Sequence, residues 1–388
     1  MFRLKVLMVC LCFLMVVSAA NAGWDWVKSV DCSTQCDATD SSLRELCSDL
    51  SGNLYFNCYF GSCESIFKVA DPLAESPAIS VFCTPSGDGG TGSTYTGLVC
   101  DDDGNLFTGR DTGYETSWID KYNSSGNLVA SFGVAGRVSP VVAGGEEEGR
   151  RPWHLSWTGP TTDMIMITLQ KARPEQIALI DADTGANVDS ASPYTSLNCY
   201  SDENNDGTID DEIADFIDNN NVYATGKYFG HCYDESTGTI YANGGRKLVA
   251  VSSSSSADLT DLESFDTYSL VASTTDYKDQ NEHGLAYDSD LGLVAFTAGF
   301  QPVEIAVYDI NADTVDMVNV DGNMPDYSYG MAFFRSGSDL YLAVNNQNTN
   351  STASEDDIEI FKYSTPTPPP PTSTPSSGID NAVWEIYR

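Results

Sequence analysis

One short phrase recurs along this chain of 388 residues and constrains its fold more than any other feature. The phrase is a small apolar strand that opens with Gly, then a polar turn, then a second apolar strand. The clearest copy begins at Gly97 and runs Gly-Leu-Val-Cys, Asp-Asp-Asp-Gly-Asn and Leu-Phe-Thr. A third strand is predicted over 118–122 and a fourth over 128–132. About 36 residues therefore carry four strands, which is the size of one propeller blade.

Five further copies repeat the same order of strand, turn and strand. They begin near Leu46, Trp153, Gly230, Gly284 and Gly330. Internal repetition at this scale is typical of propellers and solenoids, and a closed ring leaves no sheet edge exposed. Six copies predict an all-β chain that forms a six-bladed β-propeller over residues 45–363.

The repeat resembles the NHL repeat, whose pattern reads apolar-Gly-apolar, Asp-Gly-Asn-Leu-Tyr, a strand, Ser-Gly and a closing strand. The resemblance covers residues 45–363 and implies a propeller related in fold to lactonase-type propellers. It says little about function, because this fold hosts many activities.

Both ends of the chain differ from the repeats. Residues 1–22 have a basic start, an apolar run and a small-residue cleavage site, which is typical of a secretory signal peptide. The apolar run is too short to span a bilayer. The sequence therefore predicts a secreted, extracellular protein.

Residues 23–44 precede the first blade. The spacing of Trp24 and Trp26 predicts a short strand, and Ser41 to Glu45 suggest a brief helical turn. Two alternatives stay open for this segment: it completes the last blade, or it covers one face of the propeller.

The composition restricts the partners. The formal net charge is -37, which argues against nucleic acid and anionic membranes because their phosphates would be repelled. A surface this acidic favours cations, and most of its carboxylates are expected to be solvated turn residues.

Nine cysteines remain after the predicted signal peptide, and six of them precede residue 84. In an oxidising compartment they predict disulfides that tie the N-terminal segment to the first blade. Cys199 and Cys232 flank an insertion over 198–232, and a disulfide between them would join its ends. An odd number leaves one thiol unpaired, buried or bonded to another chain.

The insertion contains a candidate calcium loop. Oxygen-bearing side chains alternate along it, followed by a short amphipathic helix, and Ca²⁺ takes six to eight oxygen ligands. The loop resembles those of EF-hands, dockerins and integrin-type propellers, although its twelfth position is Ile213 rather than Glu. The alternative is an acidic surface turn without an ion. The predicted ligands are Asp202, Asn204, Asp206, Thr208 and Asp210.

The three histidines, His154, His231 and His283, all fall near the start of a predicted innermost strand. Six-bladed lactonases and arylesterases hold a calcium ion in the central channel, so the resemblance implies a hydrolase as one alternative. The other is that each His is an ordinary polar residue. No Ser-His-Asp spacing, nucleophile elbow or phosphate loop occurs, so the sequence favours a protein that is not an enzyme.

Two N-glycosylation sequons, at Asn123 and Asn350, fall in predicted turns. Residues 364–378 form a Pro-, Thr- and Ser-rich linker, and residues 379–388 form an apolar tail. The tail either docks on another molecule or folds back on its own propeller.

These features predict a secreted, calcium-binding propeller that acts as an extracellular interaction or structural module. Its expected partners are extracellular proteins, glycans or other copies of itself, joined head to tail through residues 379–388. The alternative is a calcium-dependent hydrolase of the lactonase or arylesterase kind.

Overall fold

The fold rests on short strands that pair with their neighbours in sequence. The computed structural model describes residues 23–36, 42–59, 65–84, 94–111, 117–139, 151–170, 176–191, 228–244, 247–253, 259–265, 267–273, 284–299, 304–318, 328, 330–346 and 357–364. These residues form 24 strands, β1 to β24, and one 3₁₀ turn at Leu262–Ser264.

The strands form six antiparallel sheets of four strands each. The first strands of neighbouring sheets contact one another in chain order, and the last contacts the first again. They are β2 (Ser42–Ser48), β6 (Thr94–Cys100), β10 (Arg151–Trp157), β14 (Tyr228–Asp234), β18 (Leu285–Asp288) and β22 (Met331–Ser336). The six sheets are therefore blades around one axis, and these six inner strands surround it. The predicted six-bladed propeller is confirmed.

The strand bounds of the first three blades follow the repeats of the sequence. Blade 1 contains β2 (Ser42–Ser48), β3 (Leu54–Tyr59), β4 (Ile66–Ala70) and β5 (Ala78–Cys83). Blade 2 contains β6 (Thr94–Cys100), β7 (Leu106–Asp111), β8 (Trp118–Tyr122) and β9 (Arg137–Val138). Blade 3 contains β10 (Arg151–Trp157), β11 (Met164–Gln170), β12 (Gln176–Asp181) and β13 (Asn187–Ala191).

The last three blades repeat the pattern, except that the sixth combines both ends of the described chain. Blade 4 contains β14 (Tyr228–Asp234), β15 (Thr239–Gly244), β16 (Lys247–Ser252) and β17 (Thr267–Ser273). Blade 5 contains β18 (Leu285–Asp288), β19 (Leu293–Gly299), β20 (Glu304–Asp309) and β21 (Thr314–Met317). Blade 6 contains β22 (Met331–Ser336), β23 (Asp339–Asn346), β24 (Asp357–Ser364) and β1 (Gly23–Asp31).

The N-terminal strand closes the ring. β1 pairs antiparallel with β24, and Trp24 lies opposite Tyr363. Of the two alternatives for this segment, the structure has the first: its strand completes the last blade.

Two local predictions were wrong. Ser42 to Glu45, expected in a helical turn, instead begin the strand Ser42–Ser48, because this segment pairs with the next strand of the blade and buries Leu43 in the core. In blade 2 the fourth strand is β9, while Leu128 makes only an isolated bridge to Tyr122. Residues 129–136 turn back on themselves instead, with hydrogen bonds from the Phe132 amide to the Val129 carbonyl and from the Gly136 amide to the Phe132 carbonyl.

The core is divided among the blades. Six apolar clusters lie one at each interface between neighbouring blades, and each contains residues from both. Burial between blades rather than within them therefore stabilises the ring.

Two of the glycines that open the repeat explain how closely the inner strands pack. A Cβ added at Gly97 would lie 2.7 Å from the Leu155 amide nitrogen in blade 3, and one at Gly330 would lie 2.5 Å from that of Leu46 in blade 1. Any side chain there would push two inner strands apart, since such contacts are shorter than van der Waals distance.

No helix among the described residues is long and apolar enough to cross a membrane.

Candidate central cavity

A cavity of about 590 Å³ opens at the end of the axis where the inner strands finish. Because a β-strand exposes alternate residues, each inner strand presents side chains to the axis. Its apolar walls come from all six inner strands. They include Leu46, Leu98, Leu155, Cys232, Leu285 and Met331.

Two histidines lie side by side within the lining of the cavity. His154 on β10 and His231 on β14 have ring centroids 5.0 Å apart and planes at 84°. The Nε2 atom of His154 lies 3.2 Å from the backbone carbonyl oxygen of His231. Since a carbonyl only accepts, Nε2 carries the proton, and Nδ1 of a neutral His154 is an acceptor. That Nδ1 atom lies 4.0 Å from Oε2 of Glu45 on β2.

A serine completes the group. Ser156 lies two residues after His154 on β10, and its Oγ atom is 2.7 Å from Nδ1 of His231. Among the described residues, the Nε2 atom of His231 has no hydrogen-bond partner, although only 2% of the residue is exposed. A buried polar atom without a partner is rare and is a candidate for ligand recognition.

Burial keeps this group neutral. It lowers the pKa of His154 to about 4, despite the opposing effect of the hydrogen bond to the His231 carbonyl. Burial, and then the neighbouring His154, hold the pKa of His231 well below 6.5. Burial also raises the pKa of Glu45 well above 4.5, against the pull of Arg44. At neutral pH both imidazoles are therefore hydrogen-bonding groups without charge.

The mouth of the cavity is acidic. Burial raises the pKa of Asp102, and its acidic neighbours, which include Asp290 and Glu235 across the mouth, raise it further. One cation offsets this charge: Arg335 lies 2.7 Å from Asp288 and 3.3 Å from Asp290. The carboxylates that line the cavity are Asp49, Asp102, Asp234, Glu235, Asp288 and Asp290.

Several predicted site residues fall outside the described part of the chain. They are His283, Cys199, Asn350 and the predicted calcium ligands Asp202, Asn204, Asp206, Thr208 and Asp210. The signal peptide, the linker and the apolar tail also lie outside it. These assignments stay predictions.

The remaining two predicted residues are described. Cys232 is a buried thiol on β14. Asn123 begins a turn in blade 2, where its Oδ1 atom accepts hydrogen bonds from the amides of Ser125 and Asn127, each at 3.0 Å.

The described part of the axis does not fit a calcium site. No group of three or more His, Cys, Asp or Glu side chains among the described residues is arranged to hold a metal ion. The acidic group nearest the histidines is a single carboxyl, whereas Ca²⁺ prefers six to eight oxygen ligands.

Sequence reasoning missed Glu45 and Ser156. Ser156 carried a usable signal, because it lies at position i+2 from His154 on one strand and so faces the same side. Glu45 had none, since it was assigned to a helical turn.

A repeated asparagine was also missed. Asn57, Asn243 and Asn345 lie on the second strands of blades 1, 4 and 6. Each donates from its amide to a backbone carbonyl of the next inner strand or of the residue before it, at 2.8, 3.2 and 2.6 Å. They fasten neighbouring blades together around the axis.

Three known structures are among those with a similar course of the chain, each at low sequence identity. The allergen Mala s 1 of Malassezia sympodialis is 12% identical with a TM-score of 0.48, over 82% of this chain and 92% of that one. Regucalcin of Agrobacterium tumefaciens, described as a calcium-binding protein, is 10% identical with a TM-score of 0.49, over 87% and 95%. A chain of the mitotic checkpoint complex is 11% identical with a TM-score of 0.41, over 88% and 84%.

No protein-family model and no curated protein matches the chain. The fold assignment rests on the six sheets themselves, and the resemblance to NHL repeats stays a prediction.

Proposed function

We propose that the protein is an extracellular binding module whose central cavity takes a small organic cation. The observation that carries this proposal is the buried Nε2 atom of His231, which has no hydrogen-bond partner in the described part of the chain and belongs to a residue lining an acid-rimmed cavity. A neutral imidazole that donates from Nδ1 to Ser156 leaves Nε2 as an acceptor, and a protonated amine supplies the matching donor.

The walls suit the apolar part of such a ligand. Trp157, Tyr287 and Phe333 line the cavity together with the aliphatic side chains. Aromatic faces attract cations, and the acidic mouth raises their local concentration while it repels anions. A small amine attached to an apolar or aromatic group therefore matches the aliphatic walls, the aromatic faces and the acidic mouth.

Calorimetry with three probes of equal size tests the proposal: phenethylamine, 2-phenylethanol and phenylacetate. We expect the amine to bind most tightly, the alcohol more weakly and the carboxylate not at all. Raising the salt concentration should weaken binding of the amine, because the rim charges are screened. Equal or tighter binding of phenylacetate, or no binding of the amine, would contradict the proposal.

Charge variants separate the rim from the general acidity of the protein. Asp290→Asn removes a carboxylate at the mouth, and Asp183→Asn is its matched control because Asp183 is equally exposed and does not line the cavity. Only the first should weaken binding of phenethylamine, by about threefold, since one exposed charge contributes up to about 1 kcal/mol.

The calcium loop and the apolar tail belong to the same proposal. Asp202 to Asp210 would hold Ca²⁺, and residues 379–388 would join copies of the protein head to tail. Sedimentation of the full chain and of a chain ending at residue 378, each with Ca²⁺ or a chelator, tests both. Identical monomers in all four samples would end the assembly hypothesis.

Hydrolysis is the second candidate, favoured by the 2.7 Å contact between Ser156 and His231. In such a reaction the Ser156 oxygen attacks an ester carbonyl while Nδ1 of His231 takes its proton. The C–O bond to the alcohol breaks, the alcohol leaves with that proton, and water then hydrolyses the acyl-serine to the free acid. Ser156→Ala should then lower the turnover of p-nitrophenyl acetate at least 100-fold, whereas Ser80→Ala, at an exposed position of β5 that does not line the cavity, should leave it unchanged. Equal turnover by wild type and Ser156→Ala would reject this candidate and leave the binding proposal intact.

A further inference from the structure

Two cysteine sulfurs meet across the interface between blades 1 and 2. Cys47 on β2 and Cys100 on β6 are 53 positions apart in sequence, and their Sγ atoms lie 3.4 Å from each other. Both residues are buried, and both belong to the apolar cluster between these blades. A disulfide bond is about 2.0 Å long, so modest side-chain rotation would bring the sulfurs to bonding distance.

The surroundings suit a covalent link. β2 and β6 are neighbouring inner strands of different blades that contact each other, and Asn57 on β3 donates a hydrogen bond to the Thr96 carbonyl on β6. Both cysteines also line the central cavity. A bond here would fix the spacing of two of the six strands that form the cavity wall.

We propose that Cys47 and Cys100 form a disulfide that joins blades 1 and 2 beside the central cavity. The oxidant is a small disulfide such as oxidised glutathione. The Cys47 thiolate attacks one of its sulfurs and releases one glutathione thiolate. The Cys100 thiolate then attacks the Cys47 sulfur and releases the second. Two protein thiols are oxidised, one glutathione disulfide is reduced to two thiols, and the two protons pass to the released thiolates.

Burial controls when this exchange occurs. It raises the pKa of the Cys47 thiol well above its usual value, and the contact with Cys100 raises it further. A thiol that stays protonated reacts slowly. The bond therefore forms while the blades assemble and is protected once they have closed.

Peptide mapping tests the link directly. The full chain is folded in a buffer of oxidised and reduced glutathione, blocked with N-ethylmaleimide and digested with a protease that cleaves after Asp and Glu. This digestion yields residues 46–49 with Cys47 and residues 89–101 with Cys100, while Cys83 falls in a separate peptide. We expect the first two peptides as one linked species that separates on reduction.

Two outcomes would overturn the proposal: both cysteines blocked by N-ethylmaleimide, or either one linked to Cys83. Cys83 is the matched control, since it lies in the same apolar cluster.

A stability measurement supports the mapping. Reductant should lower the Tm of the wild type by roughly 5 °C, because the bond closes a long loop. The double variant Cys47→Ala, Cys100→Ala should respond less to reductant than the wild type does, by the share that this bond contributes, whereas Cys83→Ala should respond like the wild type. The mapping uses only wild-type protein, so it decides the question even where a variant fails to fold.

Discussion

Two buried glutamates show how the seam of the ring differs from its centre. Glu359 lies on β24 where the ring closes, and Glu45 lies on the inner strand β2; they are 3% and 2% exposed. Glu359 accepts hydrogen bonds from Nε1 of Trp26 at 2.7 Å and from Oγ of Ser29 at 2.8 Å, both on the N-terminal strand.

Glu45 has no comparable partners. Among the described residues, its Oε1 atom accepts no hydrogen bond, and its Oε2 atom lies 4.0 Å from Nδ1 of His154. A buried carboxylate without donors is unstable as an anion, and the raised pKa of Glu45 expresses this. At equal burial, Glu359 is therefore a hydrogen-bond acceptor that stabilises the seam, whereas Glu45 is held near neutrality at the axis. The two residues are equally buried, so it is their hydrogen-bond partners, and not their burial, that distinguish the closure of the ring from the candidate site.

The largest expected effect in this comparison is the stability that the protein loses in acid because His154 is buried beside the axis. His154 has a pKa lowered to about 4, so between pH 6.5 and about 4 the unfolded chain binds a proton that the folded chain does not. Its contribution to the free energy of unfolding is fully present above pH 6.5 and is lost as the pH falls to about 4, by about 3 kcal/mol. Urea unfolding at pH 7, 5.5 and 4 should show that His154→Gln loses less stability than the wild type. Parallel losses would mean that His154 is not neutral in the folded protein.

A second test breaks the seam. Glu359→Gln replaces one acceptor oxygen by an NH₂ group that faces the donors of Trp26 and Ser29. We expect the free energy of unfolding to fall by about 2 kcal/mol, because Trp26 and Ser29 lose hydrogen bonds to a charged, buried acceptor. Asp25→Asn is the control, since Asp25 is exposed on β1, the strand of Trp26 and Ser29, and accepts a hydrogen bond from Oγ of Ser364. Equal effects of both variants in urea unfolding would refute a special role for Glu359.

The smallest expected effect is a gain in the free energy of unfolding rather than a loss, and it concerns Glu45. Because the folded pKa of Glu45 is raised, the stability that its proton provides is present below about pH 4.5 and is lost as the pH rises through the raised value. Glu45→Gln is neutral at every pH, so at pH 7 it should be more stable than the wild type by about 1 kcal/mol. Glu45→Gln and Glu359→Gln are measured side by side between pH 4 and 8. Destabilisation by Glu45→Gln at pH 7 would show that this carboxyl has partners after all.

The number of blades could be predicted from the sequence, because the strands and turns of each repeat lie within a short stretch of the chain. It failed where the structure depends on distant residues. Ser42 to Ser48 form a strand only because β3 and the neighbouring blades cover it, and blade 2 ends in β9 only because residues 129–136 turn first. Local propensity is overridden by tertiary pairing in both places.

The candidate site was less accessible to sequence reasoning. His154 and His231 stood out as two of three histidines, but their contact, and those with Glu45 and Ser156, join residues from different blades. No local pattern encodes a distance across the axis. The asparagines of the second strands could have been recognised more easily, since Asn57, Asn243 and Asn345 end similar apolar runs.

Because β1 pairs with β24, the first described strand has no partner until nearly all of the described chain has been synthesised. Trp26 and Glu359 are separated by 333 positions, so the earliest described strand emerges from the ribosome long before the surface it pairs with exists. Until then an edge of bare amides and carbonyls stays available to any other strand nearby. A newly made chain thus needs either shielding or dilution to avoid exchanging its first strand with that of another copy.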